Sequence, residues 1–491
     1  MAVLGGQLVI TLIMASIIQK MNAHISFARW LLCHTGLVRY LDPTDDQLRT
    51  LAGIGKEKGK GKNHQKERPQ SFHVSRNIDI DLETAKVGSL DVMYLRYFTE
   101  YQWLVDFSIY AAIVYISSEV YSIWFPAKEE VNLSMVWCLL VIFFALKLLG
   151  SLTVLYFRSE ESIAERSMCI IACLVYLLIA MIVLTLDDSI LETGLEQAYT
   201  NFNKSASAFL AEQGVSNSGP ASKIVLKFFI AVLCGLLGSL FTFPGLRIAQ
   251  MHWDSLKYCR TTKLMQIILN TSFALPFVLV VLWIKPISRD YLTDRTFGGM
   301  DKPILTSHAF EAIRLLLMIF AVLLRFALLP TYLQAYLNIA YDRIESMKKE
   351  GGRITNIELR RKVSSVFSYL CVVTLQFAAP LILCLFFTLM YKSLSGFSWF
   401  TPAATIPNDS INEIISTTEG SGDGSGDYIK SEGLDLLQSA QTIQASWHGL
   451  RKVFSSEVYK GFLGFAVWWS YFSLFATSAL GVFYQSYFTK V

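Results

Sequence analysis

Charge is scarce in this sequence: Asp, Glu, Lys and Arg make up 17% of its 491 residues, against about a quarter in an ordinary soluble domain. That scarcity argues against a water-soluble globule. Signatures of covalent chemistry are missing too. No Walker loop, zinc-protease helix, nucleophile elbow or dinucleotide fingerprint occurs, so no enzyme class, cofactor or metal is indicated. Cysteine is sparse. Six of its eight copies (Cys138, Cys169, Cys173, Cys234, Cys371, Cys384) lie in apolar runs, and Cys33 and Cys259 lie in polar segments, which leaves no disulfide framework. The 43 Lys and Arg exceed the 39 Asp and Glu by little and are sorted by loop, so no basic face for nucleic acid emerges.

What the sequence does have is apolar length. Hydrophobic residues make up 53% of the chain, its mean hydropathy is +0.42, and apolar runs of roughly 16 to 29 residues match a ~30 Å hydrocarbon core. Helices satisfy their own backbone groups in that medium. The expected fold class is therefore all-α: a polytopic membrane helix bundle of about nine transmembrane helices. The spans read as Val3 to Ile18, Trp103 to Phe125, Met135 to Tyr156, Met168 to Leu186, Ile224 to Phe243, Leu264 to Ile284, Ala309 to Leu329, Val363 to Tyr391 and Gly461 to Tyr484. The chain then divides into a first helix over 1–18, a basic loop over 19–102, a bundle with short loops over 103–391, a Gly/Ser-rich acidic loop over 392–460, a last helix over 461–484 and a tail over 485–491. The first run could also be the core of a signal peptide. No Lys or Arg precedes it and no small-x-small site follows before Lys20, which favours a retained helix or signal anchor.

Lys and Arg set the orientation. With 19–102 in the cytoplasm, the shorter loops carry 14 Lys and Arg on that side and 7 on the other. The glycosylation triplets at Asn132, Asn203 and Asn408 all then fall outside. A glycoprotein of the cell membrane, or of the endomembrane system, is the expectation.

Several segments carry a resemblance. Glu100-Tyr101-Gln102-Trp103-Leu104-Val105-Asp106-Phe107, Trp137-Cys138-Leu139-Leu140-Val141, Phe243-Pro244-Gly245-Leu246-Arg247-Ile248-Ala249-Gln250-Met251-His252, Trp283-Ile284-Lys285-Pro286-Ile287 and Leu333-Gln334-Ala335-Tyr336-Leu337-Asn338 together resemble the transmembrane protein 161 family, in the same order and over most of the chain. The match fades around Lys56 to Arg68 and Ser421 to Asp427. The resemblance implies a role in membrane excitability and ion currents, potassium and calcium, and in cell survival under stress. It supplies no catalytic or ligand residue.

Charges inside membrane helices are costly and are the first candidates for a functional site. Here they are Asp106, Glu119, Lys147, Arg314 and Arg325. Glu119 and Lys147 lie on adjacent antiparallel helices whose side chains lean toward each other, so the pair is either an ion or proton site or a packing device. Arg314 and Arg325 are eleven residues apart and share a helix face. Two arginines do not make a voltage-sensing ladder; Arg314 can snorkel, and Asp106 lies at a depth suited to pairing with Arg325. Pro276 and Pro380 are expected to kink their helices. Gly235 and Ser239 form a small-xxx-small pair for close packing.

The polar segments offer weaker signals. Lys56, Lys58, Lys60 and Lys62, interleaved with glycine, suit either a solvated tether or anionic lipid. Tyr332 to Lys349 has helical periodicity and can continue the seventh helix up to Gly351-Gly352. The stretch Glu419 to Asp427 reads as a flexible linker over a calcium loop or a glycosaminoglycan attachment site at Ser421 or Ser425. Thr489-Lys490-Val491 has the form of a PDZ ligand, with Thr489 and Val491 as its determinants. The functional expectation is a non-enzymatic membrane protein that modulates ion currents, with the lipid bilayer and ion channels as partners. The alternatives are a transporter or channel with its own pathway, and a membrane scaffold, trafficking or stress-protection protein.

Overall fold

The structure, a computed structural model, describes residues 6–22, 25–51, 53, 71–75, 80–124, 133–158, 163–212, 222–295, 303–350, 352–397 and 453–488. Asn132, Asn408, Lys56, Lys58, Lys60, Lys62, Thr489 and Val491 lie outside the described residues, as does the Gly/Ser-rich stretch.

Apolar length becomes helix, as a hydrocarbon solvent requires. In chain order the elements are α1 (Gly6–Asn22), α2 (Phe27–Cys33), β1 (Val38–Tyr40), α3 (Asp45–Leu51), β2 (His73–Ser75), β3 (Thr84–Lys86), α4 (Ser89–Met93), α5 (Phe98–Trp124), α6 (Ser134–Arg158), α7 (Ile163–Thr185), α8 (Leu195–Glu212), α9 (Lys223–Tyr258), α10 (Lys263–Val281), a π-turn (Asp290–Asp294), α11 (Ser307–Glu350), β4 (Arg353–Thr355), α12 (Asn356–Ser368), α13 (Leu370–Leu394) and α14 (Ser456–Phe488). Among the described residues eight helices are long and apolar enough to cross a membrane, and Val9–Ile18 is a shorter apolar stretch within α1. The chain is an all-α polytopic bundle.

One helix outruns the end read from sequence, and another runs on as the periodicity of Tyr332 to Lys349 suggests. α9 continues past Phe243 to Tyr258 with Pro244 inside it, and α11 continues past Leu329 to Glu350 with Pro330 inside it. Neighbouring helices can satisfy the carbonyls that proline frees, so neither proline ends its helix. At 44 residues α11 is about 66 Å long, and its last third leaves the apolar layer. The eighth span is divided instead of continuous: amphipathic α12 ends at Ser368, Tyr369 forms a turn, and α13 begins at Leu370.

α13 occupies the centre. Of its 25 residues, 21 are buried, against α5, α6, α9, α11 and α14. A helix apolar on every side belongs in such a position. α7 and α10, by contrast, expose Ile170, Leu174, Leu178, Ile182, Leu264 and Ile267 on their outer faces, where lipid is the natural solvent.

At one end of the bundle a small polar layer forms. β1 pairs antiparallel with β3, Val38 opposite Lys86, and β2 with β4, His73 opposite Thr355. Gln334 of α11 closes the free edge of β1: Val38 N–H donates to its Oε1 at 2.9 Å, and its Nε2 donates to Val38 O at 3.2 Å. Asn356 does the same for Phe72, and its Nδ2 donates to Asp45 at 3.1 Å. Arg360 holds Asp42 and Asp45 at 3.2 and 3.3 Å. The segment 19–102 read as a basic loop is therefore partly folded onto the extension of α11 and onto α12. We call this the ribbon end.

Candidate functional site

The five charges proposed from sequence do not form one network. Asp106, 3% exposed, accepts from Ser26 Oγ at 2.7 Å and from Ala28 N–H at 2.9 Å. It thus satisfies orphan donors at the start of α2, where a carboxylate is also favoured by the helix dipole. Tyr101 and Tyr110 hydroxyls donate to Ala28 O and Ile25 O and hold the same segment against α5. The expected pairing of Asp106 with Arg325 is absent, because α2 consumes the carboxylate.

Glu119 pairs with Lys392 and not with Lys147. α13 runs to Leu394, so Lys392, assigned by sequence to the loop beyond the helix, is buried beside the end of α5. Lys147 lies on the exposed face of α6. Opposed leans permit a contact, but the rotation of α6 about its axis, which decides the pairing, carries no signature in a helix apolar on both faces, and it turns Lys147 away from Glu119.

Arg314 is 2% exposed and enters a network at the end opposite the ribbons. Its Nη1 lies 3.5 Å from Glu192, and its guanidinium lies 4.2 Å from the Trp283 ring centroid and 5.6 Å from that of Phe310. Arg289 also pairs with Glu192, bonds Ser307, and lies 3.7 Å from Glu311, which Lys460 approaches at 3.7 Å. The backbone fixes the geometry: Glu192 N–H donates to Trp283 O at 2.9 Å and Lys285 N–H to Ile190 O at 2.9 Å. Beside it a cavity of about 480 Å³ is bordered by Asp188, Asp290, Lys285 and Tyr391. Burial raises the Asp188 carboxyl above its ordinary range. Sequence reasoning found Arg314 but missed Glu192, Arg289 and Glu311, which lie in or beside loops where a charge is unremarked. So Arg314 is paired rather than snorkelling.

Arg325 stands alone. It is 3% exposed, its Nε–H donates to Ser272 O at 3.3 Å, and its Nη1 is buried without a partner. Its titratable neighbours are Tyr332, Cys384, Tyr471 and His252, and among the described residues no carboxylate reaches it. No group of three His, Cys, Asp or Glu is placed to hold a metal among the described residues. Asn203 is half-buried within α8.

The arrangement can hold helices in register and set the local potential. A family model described as "Predicted transmembrane protein 161AB" matches residues 2–489 of the chain. No solved structure matches it.

Proposed function

The chain belongs to the transmembrane protein 161AB family, and from that premise we propose that it is a non-enzymatic multi-pass membrane protein that modulates ion currents carried by other proteins, potassium and calcium currents first. The family resemblance supplies the subject. The observation that carries the restraint is α13, 21 of whose 25 residues are buried at the bundle centre. A selective pore needs a ring or loop of carbonyls or like charges around an open axis; this axis is filled by a helix. Arg325 adds to it, since an arginine without a counter-charge raises an electrostatic barrier to permeating cations.

One observation favours the second reading, a pathway of the protein's own. Polar cavities lie at both ends of α13, one bordered by Tyr391 and the other by Gln376, which are about 22 Å apart along the helix at ~1.5 Å per residue. Rearrangement between them would connect the two. Planar bilayers containing the purified protein separate the readings. The expected result is no ion-selective conductance, together with altered potassium or calcium currents in cells lacking the protein. A reproducible selective conductance that changes when Arg325 is replaced by Met would establish the pathway instead, and unaltered currents in the deficient cells would remove the modulatory role.

A further inference from the structure

At the ribbon end, a cavity of about 720 Å³ is bordered by Arg96, Arg247 and Arg343 and by no carboxylate. The three come from separate elements: the turn before α5, the stretch of α9 beyond Pro244, and the extension of α11. Bringing three guanidinium groups around one cavity costs Coulombic repulsion unless an anion joins them. Their hydrogen bonds are to neutral groups. Arg247 Nη1 donates to Gln250 Oε1 at 2.9 Å, with its guanidinium 5.8 Å from the Tyr336 ring. Arg343 Nη1 donates to Ser365 Oγ at 2.9 Å and to Lys362 O at 3.1 Å. Asp254 feels the charge of Arg247, but its partner is Lys257 at 3.5 Å. No ion pair joins the three arginines to a carboxylate among the described residues.

Two further features point to a ligand. Gln376, 1% exposed, borders the same cavity; its Nε2 donates to the Tyr156 hydroxyl at 2.7 Å, while its Oε1 is buried without a partner. A buried acceptor left unmade costs free energy, and a ligand hydroxyl would satisfy it. Tyr97, next to Arg96, has a φ of 65°, a left-handed conformation that a non-glycine residue adopts at a cost and that recurs at binding sites. A second cavity, of about 410 Å³, shares Tyr156, Arg247 and Gln250 with the first and continues past Met168, Phe243, Leu246 and Gly481, with Tyr484 and Gln485 also on its wall, a mostly apolar course between α7, α9 and α14.

We propose that the two cavities together bind a phosphate-bearing lipid whose headgroup carries hydroxyls: Arg96, Arg247 and Arg343 hold the phosphate, Gln376 Oε1 accepts from a headgroup hydroxyl, and an acyl chain lies along the apolar cavity. Arginine is suited to this task because its planar fork matches phosphate oxygens. The site is distinct from the lysines at 56–62. It does not rest on the current-modulating reading, because the assay below reads no current.

The test uses the full chain in phosphatidylcholine nanodiscs, with fluorescent phosphatidylinositol bisphosphate as the probe. Saturable binding is expected, with Arg247→Gln and Arg343→Gln each weakening it about tenfold, the scale of one lost charge-assisted hydrogen bond. Lys349→Gln, at an exposed position outside the cavity, leaves it unchanged. Should Arg247→Gln not fold, Arg247→Lys, which keeps the charge and loses the fork, is expected to weaken binding severalfold. Tail-free inositol bisphosphate is expected to bind at least about tenfold more weakly than the lipid, since the bilayer concentrates the lipid beside the site and its acyl chain adds contacts in the second cavity. Equal affinity for the tail-free headgroup would overturn the lipid in favour of a soluble phosphate. Binding indifferent to Arg247 and Arg343 would overturn the site.

Discussion

Glu119 and Lys392 have side chains 15% and 8% exposed, so each is the main answer to the other's charge in a medium that solvates neither. Removing one partner strands the other, and such losses run to about 3–5 kcal/mol in buried pairs, whereas removing both is milder. Thermal unfolding of Glu119→Ala, Lys392→Ala and the double variant should therefore show two large single losses and a double loss well short of their sum; additive losses would dissolve the pair. Lys147→Leu should change little or stabilise, because the lysine faces outward from an apolar helix. Arg325 follows a different logic. With one backbone acceptor and an orphaned Nη1, it bears a desolvation cost without a compensating charge. Replacing it by Met, of similar length and without charge, should leave the unfolding temperature equal or higher. A marked fall on Arg325→Met would mean that the cation has a partner in the folded protein that geometry alone does not reveal.

Helix contacts in this bundle depend on a few positions without side chains. A Cβ added at Gly238 would lie 2.3 Å from Tyr176, and one at Gly245 would lie 2.2 Å from Thr477, so α9 approaches α7 and α14 more closely than any larger residue allows. Gly238→Ala and Gly245→Ala should each destabilise by about 1–3 kcal/mol through overpacking, and Gly150→Ala, with nothing within 4 Å, should be neutral or slightly stabilising; thermal unfolding of the three decides it. Of this spacing, sequence singled out Gly235 and Ser239, one residue away from the tighter contact at Gly238. Helix α8 depends on charge instead. Lys223, by hydrogen bond and charge, and Lys227 hold the Glu196 carboxyl below its ordinary range. A lowered carboxylate supports the fold above its unfolded pKa and loses that support as pH falls through the folded one. Amide exchange in α8 should accelerate below the ordinary carboxylate range while that of α13 does not. The effect should be modest, because both groups are half-exposed. Unchanged exchange in acid would show that α8 is held by its apolar contacts with α14. The helices themselves were legible because lipid demands apolar length, and the continuation of α11 over Tyr332 to Lys349 was legible from its periodicity; the continuation of α9 past Phe243 was not, because the apolar run ends there while neighbouring helices hold the chain helical through Pro244.

At the scale of the whole molecule, sequence reading located Asp106, Glu119, Arg314 and Arg325 within the bundle and mispaired them, missing Lys392, Glu192 and Arg289. Depth follows from position along a span, but partnership depends on helix rotation and on which loops fold back. Asp106 meets α2, and Lys392 meets Glu119, through packing that leaves no local pattern. The basic loop shows the same limit: its polar composition conceals one ribbon closed within the loop, Val38 opposite Lys86, and another whose partner strand β4 lies about 280 residues on, while Gln334 and Asn356 reach the loop from 296 and 284 residues away, too far for any window to join. Sidedness is a different matter, since it is a sum over many residues. At the ribbon end Arg96, Arg247 and Arg343 border one cavity without a carboxylate, while Arg360 is paired with Asp42 and Asp45; the opposite end mixes signs in the Glu192, Arg289, Glu311 and Lys460 network. By the bias of Lys and Arg toward the cytoplasm, the ribbon end is expected to face the cytosol and Asn203 the lumen or exterior. Cysteines placed at two exposed lysines report this directly: Lys349, beyond the membrane part of α11, and Lys204, on α8. In sealed microsomes, whose cytoplasmic face points outward, a membrane-impermeant maleimide should label Lys349→Cys at once and Lys204→Cys only after detergent. Labelling in the reverse order would invert the bundle, place the arginine cavity away from the cytoplasmic leaflet and its anionic lipids, and leave the triplet at Asn203 out of reach of glycosylation.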